Sequence, residues 1–265
     1  MPEFLELPPE SALVDAVEES AETATSLRHR DTVLPPEHQP RVDMLPGMTD
    51  TAPAAKPTWR GWIHAATVPI AIVLGIVLVC VADGVLAKLM CGVFFASSIL
   101  LFGISSIYHR FTWSAPIAAL WRRLDHANIF LLIAGTYTPV AVLVLPYPKS
   151  VILLSFVWGG AIIGIAFRVF WLRAPRWLYV PLYLILGWAA LFYIVDLFAA
   201  APVTMILVLA GGVFYSVGAV FYALKRPNPW PGRFGFHELF HLCTVLAFLC
   251  HWVGVLLIAI DPPAR

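Results

Sequence analysis

Seven long apolar runs separated by short breaks are the feature that most constrains this chain of 265 residues. A helix needs about 20 residues to cross the hydrocarbon core of a bilayer, and each run is close to that length. Because backbone groups cannot stay unpaired in lipid, such runs fold as helices. The sequence therefore predicts an all-α integral membrane protein, a seven-helix bundle with spans over residues 62–82, 86–109, 124–145, 151–168, 177–197, 203–224 and 237–260.

The composition supports a membrane protein and divides the chain in two. Hydrophobic residues make up 60% of the sequence and charged residues 12%, whereas soluble domains carry about 25% charged residues. Residues 1–58 hold 11 acids, 4 Lys or Arg and 9 of the 22 prolines. Such a segment cannot bury enough apolar surface to fold. We therefore expect an acidic, proline-rich disordered tail over residues 1–58 and a transmembrane domain over residues 59–265.

The basic residues predict the orientation of the spans. If the chain starts in the cytoplasm, 14 Lys and Arg fall on the inner side and 3 on the outer side. Cytoplasmic loops carry the excess of basic residues in membrane proteins. We expect an N-terminus in the cytoplasm and residence in a bacterial plasma membrane. The pair Gly160 and Gly164 forms a G-x-x-x-G pattern, which we expect to pack helices within one chain.

Side chains of the types that bind metal ions come from three distant parts of the chain and lie at one depth in the membrane. With seven alternating spans, His109 ends the second span, Asp125 begins the third, and His237 and His241 begin the seventh. Residues four apart share one face of a helix, so the last two histidines can bind one ion. Three histidines and an oxygen form a familiar zinc set. Ser105, one turn before His109, can orient a ligand or a water molecule.

The histidines also fit roles other than metal binding. His64 and His126, near span ends, fit ordinary interfacial side chains, and His251 fits a polar residue within the seventh span whose hydrogen bonds are satisfied. The segment from His237 to His241 also matches the H-E-x-x-H motif of zinc proteases, in which the glutamate is the general base. We discount a protease because the flanking motifs do not fit, and we expect Glu238 to face the inner surface.

Four segments of the chain resemble the bacterial hemolysin III proteins, which belong with the progestin and adipoQ receptor (PAQR) superfamily. The similarity covers residues 59–260. It is carried by Ser105-x-x-x-His109, Asp125 at the start of a span, Gly135-Thr-Tyr-Thr-Pro139, and Pro229-x-x-Gly232-Arg-Phe followed by His237-x-x-x-His241. The resemblance implies a Zn²⁺ ion bound by His109, His237 and His241, with Asp125 linked to the ion through water and Ser105 beside the site.

The resemblance leaves three functions open. Superfamily members are linked to hydrolysis of lipid amides such as ceramide, which predicts a zinc-dependent membrane hydrolase with Asp125 as general base. The hemolysin name implies a pore-forming or cytolytic protein, and the receptor relatives imply a sensor with structural zinc. We expect membrane lipids as partners, with a lipid-type substrate and no nucleic acid. The sequence leaves the oligomeric state open.

Overall fold

The computed structural model describes residues 57–263, and the expected tail over residues 1–58 lies almost entirely outside the described residues. Within residues 57–263 the chain is helical and forms no β-strand beyond one isolated bridge. Seven helical segments in this range are long and apolar enough to cross a membrane. The predicted all-α bundle with seven spans is confirmed.

The spans are built from eight α-helices, because the fifth span is interrupted. The helices are α1 (Trp62–Val81), α2 (Gly84–Arg110), α3 (Ala115–Val144), α4 (Lys149–Phe170), α5 (Arg176–Gly187), α6 (Ile194–Ala200), α7 (Pro202–Leu224) and α8 (Phe236–Ile260). Helices α1, α3 and α8 begin, and α2 ends, at the same end of the bundle. We call it the histidine end.

The third span begins nine residues earlier than the sequence predicted. We expected it at residue 124, whereas α3 starts at Ala115. Pro116 lies in the first turn of α3, where a helix needs no backbone N–H donor, so this proline starts the helix and does not interrupt it. The apolar stretch of α3 is 78% buried, against 22–50% in the other spans. Helix α3 is therefore the central helix of the bundle.

The fifth span is broken in its middle, which the sequence did not predict. Helix α5 ends at Gly187, a 3₁₀ segment covers Ala189–Tyr193, and α6 follows. The hydroxyl of Tyr137 on α3 enters the break, where it donates to the Gly187 carbonyl and accepts from the Ala190 N–H, both at 2.7 Å. Irregular backbone at membrane depth is tolerated where its polar groups find such partners.

Candidate metal centre

Three histidines from two helices meet at the histidine end. His109 lies in the last turn of α2, and His237 and His241 lie in the first two turns of α8. One ring nitrogen from each of the three lies within 4.8 Å of the others, and the Nε2 atoms of His109 and His237 are 3.2 Å apart. The structure therefore brings together all three histidines that the sequence predicted as ligands. We call them the histidine triad.

The triad has the donor chemistry and spacing of a zinc site. Zinc binds imidazole nitrogen at 2.0–2.1 Å in tetrahedral geometry, which places two ligand nitrogens about 3.3 Å apart. The separation of 3.2 Å between His109 and His237 agrees with that value. His109 and His241 are buried, and the ring centres of the triad are 4.6–5.1 Å apart. These residues fit a zinc ion.

A carboxylate lies beside the triad. Oδ2 of Asp125, on α3, is 3.8 Å from Nε2 of His109 and 3.9 Å from Nδ1 of His126. The Ser105 hydroxyl lies near the Asp125 carboxylate and can donate a hydrogen bond to it. Ser105 is almost fully buried one turn before His109, so α2 supplies both a triad member and the hydroxyl beside the carboxylate. The early start of α3 carries Asp125 within a continuous helix to this position.

His64 belongs to the surroundings of the triad, which the sequence analysis missed. It is 2% exposed, so the interfacial interpretation was wrong. Its ring stacks on His241 with centres 3.8 Å apart and planes inclined by 12°, and its edge faces Phe102. Because α1 and α8 begin at the same end of the bundle, the alternation of spans places His64 at the depth of the triad. Only the packing of α1 against α8 shows that its ring is buried there.

Glu238 lies between His237 and His241 in the sequence, but its side chain has a structural role. It is 1% exposed, which corrects the expectation that it faces the surface. Arg60 Nε donates to one carboxylate oxygen, and the N–H of Gly235 donates to the other at 2.9 Å. Both oxygens are thus engaged by an ion pair and by the start of α8. This supports discounting the protease reading.

The two remaining histidines of the helices make protein hydrogen bonds. Nδ1 of His126 pairs with the Arg122 carbonyl at 2.7 Å, and its Nε2 lies 3.3 Å from the Tyr222 hydroxyl. Nε2 of His251 lies 3.1 Å from the Val208 carbonyl. The expectation of a satisfied polar residue within the seventh span therefore holds for Nε2 of His251 only, because Nδ1 has no hydrogen-bond partner among the described residues.

A cavity of about 130 Å³ leads from the triad into the bundle. His237, His241 and Asp125 line one end of it. Its walls are mainly apolar and aromatic, and they come from α3, the broken fifth span, α7 and α8. The cavity therefore has a polar end at the triad and an apolar interior.

Comparisons with known proteins agree with this architecture. A family model described as "Haemolysin-III related" matches residues 53–252. The chain is 37% identical over 146 residues to a protein of Bacillus cereus named Hemolysin-3, covering 55% of this chain and 65% of the relative. It is 34% identical over 135 residues to a Hemolysin-3 homolog of Bacillus subtilis, covering 51% and 63%.

The chain is also similar, at lower identity, to a receptor protein. The chain is 28% identical over 192 residues to an adiponectin receptor protein of Drosophila melanogaster, covering 63% of this chain and 42% of that protein. The matched part of the chain thus spans less than two thirds of the length of each of these relatives. The comparisons confirm the resemblance that the sequence motifs indicated.

Proposed function

This chain belongs to the haemolysin-III related family of integral membrane proteins, and we propose that it is a zinc-dependent hydrolase of a lipid amide or ester. The observation that carries the proposal is the juxtaposition of the histidine triad and Asp125 at one end of an apolar cavity. A closed structural zinc site has four protein ligands, whereas catalytic sites use three and keep one position open. The triad supplies three.

In the proposed site His109, His237 and His241 hold the ion. Zinc supplies Lewis acidity, which polarises a carbonyl group and makes water more acidic. The side chains of the triad arrive from α2 and α8, so binding the ion joins these helices at the histidine end. Burial of His109 and His241 keeps bulk water away from the reacting carbonyl.

Asp125 is the proposed general base. Its carboxylate lies within 4 Å of His109 and therefore adjoins the place where the substrate carbonyl meets the triad. As a water oxygen forms a bond to the carbonyl carbon, a carboxylate oxygen of Asp125 takes the proton. The same proton passes to the nitrogen or oxygen of the leaving group as the scissile bond breaks. In the proposed site a hydrogen bond from the neighbouring Ser105 hydroxyl holds the carboxylate in the required orientation.

The cavity supports a lipid as the substrate. An acyl chain that enters the bundle replaces contacts with lipid tails by contacts with apolar walls, and its carbonyl comes to rest at the polar end. We further propose that the histidine end faces the cytoplasm of a bacterium and that the protein resides in the plasma membrane. The excess of basic residues at the loops of that end supports this orientation.

Metal content and turnover, measured together, test the proposal. The purified full-length protein should contain about one zinc ion per chain by mass spectrometry, and His237→Ala/His241→Ala should lose it. Asp125→Asn should keep zinc and lose hydrolysis of a ceramide or an acylated glycerol. His251→Gln, on the same helix but outside the triad, is the matched control for metal content and should keep zinc. Equal turnover in wild type and Asp125→Asn would refute the catalytic role.

Membrane lysis is a second candidate, favoured by the name of the Bacillus cereus relative. A pore former releases a trapped dye from liposomes at low protein-to-lipid ratio whether or not Asp125 is intact, whereas a hydrolase leaves the vesicles sealed unless it cleaves their lipids. Dye release by wild type and by Asp125→Asn alike would favour lysis. Release that requires Asp125 would instead indicate damage to the lipid by hydrolysis.

A further inference from the structure

We propose that the cavity holds a second binding site, which takes a hydroxyl group on the hydrocarbon chain of a lipid. The site is formed by His251 and Tyr215, both of which line the cavity. His251 follows His241 by ten residues on the unbroken helix α8, which places the site about 15 Å from the triad along the helix. The inference deepens the proposed function, because it specifies the class of lipid.

His251 is an ionisable residue in the interior of a transmembrane helix. Such residues are costly in a bilayer and mark functional sites by default. The side chain is 8% exposed, and its Nε2 lies 3.1 Å from the Val208 carbonyl. Because a carbonyl only accepts hydrogen bonds, Nε2 carries the proton of the neutral ring and Nδ1 is an acceptor. Among residues 57–263 this Nδ1 has no hydrogen-bond partner.

Tyr215 supplies the complementary group. Its ring centre is 5.5 Å from that of His251, and its buried hydroxyl has no hydrogen-bond partner in the part of the chain that the structure describes. A buried tyrosine hydroxyl usually finds a partner. The two side chains together offer an acceptor and a donor. A ligand hydroxyl satisfies both, because it donates to Nδ1 of His251 and accepts from the Tyr215 O–H.

The other polar side chains along this part of the cavity already have partners. The Trp188 indole donates to the Ser216 hydroxyl, which itself donates to the Gly212 carbonyl. The hydroxyls of Thr136 and Thr244 donate to carbonyls of their own helices, and that of Tyr137 closes the break in the fifth span. Unmet hydrogen-bonding capacity in this region is therefore concentrated on His251 and Tyr215.

The position of His251 depends on a glycine. A Cβ added at Gly211 on α7 would overlap the His251 imidazole. The ring therefore lies directly against the backbone of α7, beside the Val208 carbonyl that fixes its proton. This close packing fixes the position of the ring and keeps Nδ1 available to a ligand.

Matched fatty acids test the site without requiring hydrolysis. Octadecanoic acid, 2-hydroxyoctadecanoic acid and 12-hydroxyoctadecanoic acid compete with radiolabelled oleic acid for the full-length protein in nanodiscs. In an extended chain the 12-hydroxyl lies far from the carboxyl group, whereas the 2-hydroxyl lies next to it. We expect the 12-hydroxy acid to bind about tenfold more tightly than the other two acids, as two added hydrogen bonds allow.

Variants assign the preference to the two side chains. Tyr215→Phe removes only the unpartnered hydroxyl, and His251→Leu removes the Nδ1 acceptor without introducing another polar atom. Each should reduce affinity for the 12-hydroxy acid to that for octadecanoic acid. Thr244→Val, which removes a cavity hydroxyl that already has a partner, is the matched control and should keep the preference.

The outcomes separate this site from the proposed hydrolase. If wild type binds the 12-hydroxy acid no more tightly than octadecanoic acid, the site takes water only and the inference fails. It also fails if Tyr215→Phe keeps the full preference. If a variant does not fold, the comparison of three acids on wild type decides. The preference should persist in His237→Ala/His241→Ala, so a chain without zinc or turnover can still confirm the second site.

Discussion

The imidazole ring of His64 lies nearly parallel to that of His241, with ring centres 3.8 Å apart. His64 comes from α1 and His241 from α8, so this stack joins the first and last spans beside the triad. Neither ring nitrogen of His64 has a hydrogen-bond partner among the described residues. The contact therefore acts through the faces of the rings and restrains the plane of the His241 imidazole.

We expect His64→Ala to lower zinc affinity about tenfold, because groups that orient metal ligands are worth 10–100-fold in affinity. His64→Phe keeps an aromatic ring against His241 and should retain most of the affinity. Competition with a chromophoric chelator measures both variants at constant pH. A His64→Ala protein with wild-type zinc affinity would show that the stack does not orient the ligand.

The ion pair between Arg60 and Glu238 should stabilise the start of α8. Arg60→Leu leaves a buried carboxylate without its cation, and breaking a buried pair costs roughly 3 kcal/mol. Arg60→Leu/Glu238→Gln removes the charge while the amide oxygen still accepts from the Gly235 N–H. We expect a clear fall in the thermal unfolding midpoint in detergent for Arg60→Leu and recovery of most of it in the double variant. A smaller loss in the single variant than in the double would contradict this.

The sequence was sufficient for the spans and for the triad, since both follow from length, apolar character and the alternation of span ends. It located His109, Asp125 and His237 at one level although they are far apart in the chain. It could not reveal the break in the fifth span, because the hydroxyl of Tyr137 that stabilises the break comes from another helix. Nor could it distinguish a buried His64 from an interfacial one without knowing which face of α1 meets α8.

Two glycines of α4 should respond differently to alanine. A Cβ at Gly164 would overlap the buried ring of Phe130, whereas a Cβ at Gly159 meets no atom within 4 Å. We expect Gly164→Ala to destabilise the bundle by about 1–3 kcal/mol through overpacking. Gly159→Ala should be neutral or slightly stabilising, because alanine favours helix. Thermal unfolding of the two variants checks the difference, and equal midpoints would show that α4 shifts to accept the methyl group.

Gly160, the other glycine of the G-x-x-x-G pair, also lies against a neighbouring helix of the same chain. A Cβ at Gly160 would contact a methyl group of Leu186, on α5 of the same chain. The G-x-x-x-G pair therefore faces neighbours within the bundle, which confirms the expectation of packing within one chain. Because a leucine methyl group moves more easily than an aromatic ring, we expect Gly160→Ala to cost less than Gly164→Ala in the same unfolding measurement.

Tyr137 should hold the broken fifth span in place. Tyr137→Phe keeps the ring but removes the hydroxyl that pairs the Gly187 carbonyl and the Ala190 N–H. Two buried backbone groups then lose their partner, which costs roughly 2 kcal/mol or more in stability. Amide hydrogen exchange should rise at Ala190 and its neighbours, because the local structure opens more often. Tyr147→Phe, at a position 83% exposed, is the control and should leave both quantities unchanged. Unaltered exchange at Ala190 in Tyr137→Phe would mean that the break is maintained by packing alone.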